Sequence, residues 1–319
     1  MSGSTGTATT AIVDSGEPLK PEQAAAPYIG RFAPSPTGSL HLGSLVAGVG
    51  SFLDARHHGG RWLMRMEDLD TARVIPGSAD QILRTLEALG LTWDGEVLYQ
   101  SHHLDRYQAA LDELTRQGFT FECSCSRRLR QESEDSVYPG TCRNKAAGPP
   151  PTATRFRVEQ DETVRFSDRF QGECQFELHS LGDVVIRRRD GVIAYQLAVV
   201  VDDAFQEINY VVRGADLLAS TPWQLSLQRA LGLPSPRYAH LPLVVEPDGA
   251  KLAKSRRSVA LDRSQNAAHL LAALKLLGQE LPPSHPGLNL EAPTVILDWA
   301  VAHWDPAAFR GTRARCCEK

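Results

Sequence analysis

The chain has 319 residues, 42% hydrophobic and 23% charged, the composition of a soluble globular protein of about two domains. Its 34 lysines and arginines against 38 aspartates and glutamates leave a net charge of −4, so a nucleic-acid partner would have to be met by local basic patches. Mean hydropathy is −0.26, and no apolar run approaches the roughly 20 residues of a membrane helix.

Residues 1–27 are rich in Gly, Ser, Thr, Ala and Pro, with one lysine and no arginine, and read as a disordered tail rather than a signal or transit peptide. Tyr28 to Phe32 reads as a strand, ended by the turn cluster Pro34-Ser35-Pro36-Thr37-Gly38. Leu42, Leu45, Val46, Val49 and Leu53 recur at helical spacing up to His58-Gly59-Gly60, and Arg61 to Met66 returns as a strand. Together these form one βαβ unit. Ser78 is the expected N-cap of a helix through Leu89, and Leu104 to Gln117 is expected as another helix. Cys123 to Pro151 breaks the pattern and reads as an insertion. Ala194 to Val201 is a continuous apolar run, expected as a strand buried on both faces. Ile208 to Arg213 is expected as a strand, Ser220-Thr221-Pro222 as a helix start, Leu241 to Val245 as a strand, and Asp262 onward as a helix.

Two local patterns carry phosphate chemistry. In Arg31-Phe32-Ala33-Pro34-Ser35 to His41-Leu42-Gly43-Ser44, a strand ends, small residues turn the backbone, and His41 stands where a helix begins. Helix N-termini attract phosphate, Gly43 leaves room beside the backbone, and His41 can donate to a phosphate oxygen. Lys251-Leu252-Ala253-Lys254-Ser255 is a small-residue loop with two lysines that can clamp polyphosphate. Either pattern alone also fits a blander role, His41 as a plain cap and the lysines as a solvated loop. A third pattern, Cys123-x-Cys125 with Cys142, sets three thiols within about twenty residues. Without an export signal the six cysteines point to a reducing compartment, and this trio to a zinc site whose fourth ligand the spacing leaves open. Cys174, Cys316 and Cys317 read as a packed thiol and two tail thiols.

The first two patterns resemble the signature motifs of class I aminoacyl-tRNA synthetases, with Ser44, Leu252 and Ala253 as mild departures. Arg31-Phe-Ala-Pro-Ser-Pro-Thr-Gly38, Arg65-Met-Glu-Asp-Leu-Asp70, Tyr195 to Asp203 and Val212-Arg213-Gly-Ala-Asp216 narrow the resemblance to the glutamyl-tRNA synthetase group. It implies ATP bound at His41, Gly43, Lys251, Lys254 and Ser255 with Mg²⁺, and His41 and Lys254 as catalytic residues. It implies L-glutamate bound by Arg31, Phe32, Ala33, Pro34, Ser35, Glu67, Tyr195 and Arg213. The chemistry agrees. Arg31 and Arg213 offer carboxylate-matched forks, Tyr195 a hydroxyl, and Glu67 a charge for the α-ammonium group. Competing readings are an ion pair of Arg213 with Asp216 or Asp203, and Tyr195 as a core aromatic. Asp68, Asp70 and Arg73 read as supporting residues. The resemblance also implies Tyr138 as the fourth ligand of a structural zinc.

Only residues 256–319 follow Ser255, less than the anticodon-binding region of an ordinary member of that group. With the zinc pattern, this resembles the branch that attaches glutamate to queuosine-containing tRNA(Asp). Arg127, Arg128, Arg130, Arg143, Lys145, Arg256 and Arg257 are the expected phosphate contacts. The resulting expectation is an α/β fold: a class I synthetase Rossmann-like parallel sheet with a zinc-binding insertion, a short α-helical C-terminal remnant and no anticodon-binding domain. Its parts are a tail (1–27), two catalytic halves (28–122 and 191–262), the insertion (123–190) and a helical end (263–319). It is expected as a cytoplasmic monomer without a membrane partner. Other readings are a truncated glutamyl-tRNA synthetase, an adenylating ligase with a small-molecule acceptor, and a non-catalytic RNA-binding zinc module.

Overall fold

The computed structural model describes residues 26–125, 137–146, 148–159, 161–245, 261–283 and 289–316. Residues 1–25 of the expected tail lie outside the described residues, as do Arg127, Arg128, Arg130, Lys251, Lys254, Ser255, Arg256, Arg257 and Cys317. Pro27 already belongs to the fold, because its carbonyl accepts from the Asn209 side chain at 2.8 Å.

Strand β1 (Ile29–Phe32), helix α1 (Leu42–His57) and strand β2 (Arg61–Met66) form the expected βαβ unit. β1 and β2 pair in parallel from Ile29↔Arg61 to Phe32↔Met64, and β3 (Leu98–Tyr99) adds to β2. Helix α2 covers Ser78–Ala88, but its N-cap is Gly77 in the left-handed region (φ 76°) rather than Ser78. The Ser78 hydroxyl has other work: it accepts from the Gly38 N–H at 3.0 Å and donates to the Gly38 carbonyl at 2.8 Å, pinning the β1–α1 turn. Helix α3 covers Leu104–Arg116.

Strands β4 (Thr120–Cys123), β5 (Ala153–Phe156) and β8 (Val184–Arg187) make an antiparallel sheet. Between them β6 (Thr163–Asp168) and β7 (Gly172–Glu177) form a hairpin, followed by the short helix α4 (Leu178–Leu181). This region is not a detached module. Phe156, Val158, Val164 and Ile186 share one core with Tyr107, Leu111 and Leu197 to Val200. The hairpin tip reaches the other core, where Phe170 meets Phe309 edge-on.

The run expected as a strand from Ala194 is instead helix α5 (Tyr195–Phe205). A helix buried on nearly all sides shows the same unbroken apolar run as a buried strand, so periodicity could not separate them. Helical winding also brings Asp202 and Asp203 into the interior, where arginines await them. Strand β9 (Tyr210–Gly214) and helix α6 (Thr221–Leu231) follow, with Pro222 in the first turn as expected. The strand expected over Leu241 to Val245 is two strands, β10 (Arg237–Leu241) and β11 (Leu243–Val245). Pro242 lies between them and has no N–H to continue a ladder. Helix α7 (Asn266–Leu276) matches the expected helix from Asp262, after one 3₁₀ turn. Helix α8 (Pro293–Ala302) follows, and β12 (Ala314–Cys316) pairs in parallel with β11.

β9 and β10 are parallel, and β9 lies beside β1, where Asn209 N–H donates to the Ile29 carbonyl at 3.1 Å. The spatial order is thus β3-β2-β1-β9-β10, with α1 across it. Gly50 allows the close approach: a Cβ there would lie 2.6 Å from a Leu241 methyl. Among the described residues no helix is long and apolar enough to cross a membrane.

One buried carboxylate joins distant parts of the chain. Asp54 on α1 accepts from Tyr28 Oη at 2.5 Å, Arg169 at 2.6 Å and Trp304 Nε1 at 3.1 Å. Asp54→Ala leaves these three donors without their acceptor. It is expected to cost about 3 kcal/mol in urea unfolding, and an unchanged midpoint would contradict this account of the clamp.

Candidate active site

A cavity of about 880 Å³ opens where the carboxyl ends of β1 and β9 meet the first turn of α1. In a parallel α/β sheet this is where ligands bind. Arg31, Phe32, Ala33, Pro34, Ser35, His41, Gly43, Glu67, Tyr195 and Arg213 all line it. Pro242, Leu243 and Val244 line it too.

His41 is the N-cap of α1. Its Nδ1 accepts from the Ser44 N–H at 3.2 Å, and its Nε2 lies 3.0 Å from Ser44 Oγ. Ser44, the departure from the synthetase motif, thus braces His41 from both sides. The dipole of a 16-residue helix adds positive potential at the same place.

Beneath the cavity lies a buried charge network. Asp203 pairs with Arg31 at 3.2 Å and with Arg65 at 2.8 Å. Burial alone would raise the Asp203 pKa, but the two arginines outweigh it and hold the carboxyl below its ordinary range. Asp202 accepts from Gln100 at 2.7 Å and Tyr107 at 2.9 Å. Arg65 is wholly buried, with Glu67 at 3.7 Å and Asp202 at 3.8 Å. Glu67 is pushed up to about 7 by burial, opposed by Arg65 and Arg31 and assisted by Asp203 and Asp202. It is therefore a carboxylate that an arriving cation would ionise.

Arg213 is held differently. It donates Nε–H to His240 Nε2 at 3.0 Å, and its other nitrogens to Tyr195 Oη at 3.2 Å, the Leu217 carbonyl at 3.3 Å and Thr221 Oγ1 at 2.9 Å. These partners are neutral. Asp203, one of the two competitors weighed from sequence, belongs to Arg31 and Arg65 instead. Burial raises the pKa of Tyr195, so its phenol stays protonated and able to donate. Tyr195 lines the cavity and also packs against the core of Tyr107, Leu111 and Leu197. His240 and Asp168, which support Arg213, were not singled out from sequence. They lie 72 positions apart and share no motif.

Asp68 accepts from Ser101 N–H at 2.8 Å and Oγ at 2.6 Å, and Asp70 pairs with Arg188 at 2.9 Å, both as supporting residues. Arg73 lines the cavity from an exposed turn. Arg143, expected to contact phosphate, pairs with buried Asp183 at 3.0 Å and so secures the fold. Lys145 is exposed.

The three cysteines do meet. The Sγ atoms of Cys123, Cys125 and Cys142 lie within 4.8 Å of one another, with Cys125 and Cys142 at 3.5 Å. Tetrahedral zinc with Zn–S near 2.3 Å separates its sulfurs by about 3.8 Å, so the cluster has the right size for zinc. Tyr138 Oη lies 3.6 Å from Cys123 Sγ and accepts the Cys142 N–H at 2.8 Å. Cys174 is a buried free thiol, as expected.

Residues 29–278 match the family model of the class I tRNA synthetase (E and Q) catalytic domain. The glutamyl-Q tRNA(Asp) synthetase of Ectopseudomonas mendocina (strain ymp) is 53% identical over 289 residues, covering 90% of this chain and 96% of that protein. The protein of the same name from Dechloromonas aromatica (strain RCB) is 54% identical over 287 residues, covering 87% and 94%. The chain belongs to the glutamyl-Q tRNA(Asp) synthetase family. Among solved structures it resembles glutamate-tRNA synthetase from Elizabethkingia anophelis, with TM-score 0.76 and 25% identity over 91% of this chain and 68% of that one. A glutamate tRNA ligase from Elizabethkingia meningosepticum, solved with its amino acid, gives TM-score 0.75 and 26% identity. The fold is thus the class I glutamyl-tRNA synthetase-like α/β fold with its parallel sheet.

The raised Glu67 pKa has a consequence for stability. Its folded value of about 7 exceeds the ordinary 4.5, so the native state holds the proton longer than the unfolded chain. That carboxyl therefore costs stability as pH rises from about 4.5 to about 7. Glu67→Gln removes the cost, and the variant's urea midpoint is expected to gain on the parent's between pH 5 and pH 8. A difference that stays constant with pH would contradict the assignment.

Proposed function

We propose that this chain is a ligase that activates L-glutamate with ATP and transfers it to the cyclopentenediol of queuosine in the anticodon of tRNA(Asp). The observation that carries this reading is the similarity to relatives named glutamyl-Q tRNA(Asp) synthetase, 53% and 54% identical over 94–96% of their length, against 25% for a glutamate-tRNA synthetase.

In this reading Glu67 holds the α-ammonium group. Arg213 and Tyr195 hold the side-chain carboxylate, and Arg31, balanced by Asp203, supplies further donors. Phe32, Ala33, Pro34 and Ser35 form the wall along which the amino acid lies. ATP lies over Gly43 at the N-terminus of α1, with Lys251, Lys254 and Ser255 from the lysine loop on its phosphates. A glutamate α-carboxylate oxygen attacks the α-phosphorus as the bond to pyrophosphate breaks. His41 and Lys254 stabilise the charge gathering on the transferring phosphate. Mg²⁺ arriving with ATP would supply charge neutralisation for the departing pyrophosphate. A ring hydroxyl of queuosine then attacks the activated carbonyl carbon, an ester forms and AMP leaves. Binding, positioning and electrostatics carry both steps, and no protein nucleophile takes part.

Cys123, Cys125, Cys142 and Tyr138 would hold a structural zinc that orders the 123–190 region. The catalytic halves are 28–122 and 191–262, with a helical end over 263–319. In this reading the catalytic site itself receives the anticodon loop, and an unpaired base splayed into the cavity is read there by its edges. The protein acts as a cytoplasmic monomer, without a membrane partner.

Labelled glutamate offered with ATP and tRNA(Asp) from cells that do or do not make queuosine tests the acceptor. Label is expected on the queuosine-containing tRNA alone. Label on the 3′ end of tRNA(Glu) would replace this reading with that of a glutamyl-tRNA synthetase.

A further inference from the structure

One of the bonds that hold Arg213 comes from a residue outside the cavity lining. His240 Nε2 receives Nε–H of Arg213 at 3.0 Å, and His240 Nδ1 faces Asp168 Oδ2 at 2.5 Å. All three side chains are buried. Asp168 stands at the end of β6 and His240 in β10, so the contact joins the β6–β7 hairpin to the parallel sheet. The other Asp168 oxygen, Oδ1, accepts three backbone N–H groups, from Phe170 at 3.0 Å, Gln171 at 2.9 Å and His240 at 3.1 Å.

We infer that Asp168 and His240 are positioning residues that set the direction of Arg213 toward a carboxylate ligand. The inference deepens the glutamate reading above and rests on Arg213 being the side-chain carboxylate's partner. An ionised aspartate only accepts, so His240 Nδ1 must carry the hydrogen. Arg213 Nε–H only donates, so His240 Nε2 must offer its lone pair. Both demands are met by one neutral tautomer alone. Doubly protonated histidine would set N–H against N–H. Burial, and the neighbouring Arg213 and Arg31, favour the neutral ring against the pull of Asp168. Thr221 Oγ1 accepts from a second Arg213 nitrogen at 2.9 Å and donates to the Leu217 carbonyl at 3.5 Å, which fixes the plane of the guanidinium. The nitrogen on Tyr195 faces the cavity.

Asp168→Asn tests this with no change in size. The three backbone N–H groups oblige the amide oxygen to take the Oδ1 place, so the amide N–H₂ faces His240 Nδ1. The ring must then accept there and carry its hydrogen on Nε2, directly against Arg213 Nε–H. The expected result is a rise of about ten-fold or more in KM for glutamate. KM for ATP, kcat at saturating glutamate and the thermal midpoint should change little. Nitrogen-15 NMR of labelled histidine should show the Nδ1–H tautomer of His240 in the parent and the Nε2–H tautomer in the variant. Should Asp168→Asn not fold, His240→Leu and His240→Gln serve. Leu offers Arg213 no acceptor and should raise KM, while the Gln amide oxygen should restore most of the affinity. An unchanged glutamate KM in folded Asp168→Asn, or an Nε2–H tautomer in the parent, overturns the inference. A parent protein that does not bind glutamate overturns the functional reading instead, and the tautomer measurement still decides the relay.

Discussion

Asp203 sits between Arg31 and Arg65, and the geometry of the cavity follows from that contact. It ties β1, β2 and α5 together at the depth where the amino-acid ligand would rest. Buried ion pairs cost heavily in desolvation and are poor sources of net stability. Their use here is positional. Arg65 Nε and one of its terminal nitrogens make no hydrogen bond and face Asp202 and Glu67 at 3.8 and 3.7 Å. The network therefore holds charge in place without consuming every donor. It leaves Glu67 less ionised than an ordinary carboxylate and leaves Arg213 outside the pairing.

In the proposed function that division would give the two ends of an amino acid different hosts. The Glu67 end is acidic and easily protonated. The Arg213 end is cationic, is held by neutral groups, and carries a phenol beside it. The two arginines that looked interchangeable in sequence are not so in the fold. Arg31 is neutralised by a carboxylate, whereas Arg213 is oriented by an imidazole, a hydroxyl and a carbonyl. The hairpin that supplies Asp168 lies in the region expected to be a separate insertion. Its tip enters the main core through Phe170 and ties Arg169 to Asp54. Through Asp168 and His240 the hairpin thus supports Arg213, a lining residue, without lining the cavity itself.

Much of this was legible from sequence because the chemistry is local there. The β1–α1 turn, the His41 cap and the cysteine trio each lie within a short stretch whose spacing dictates the contact. The unpredicted parts are long-range. Asp202 and Asp203 followed a run of valines that suits a strand as well as a buried helix, and only the arginines waiting in β1 and β2 decide it. Ser78 looked like a helix cap and instead holds Gly38, forty positions earlier. His240 and Asp168 are two unremarked residues until β10 and β6 meet. Pro242 was visible, but its effect depended on β12 arriving from the chain's far end to pair with β11.

In the proposed function Arg213 and Tyr195 select a carboxylate side chain. Calorimetric titration of the protein with L-glutamate and with L-glutamine measures that selection. Glutamate is expected to bind at least about ten-fold more tightly, since a charged partner for Arg213 is worth more than a neutral amide. Equal affinity for the two would contradict it.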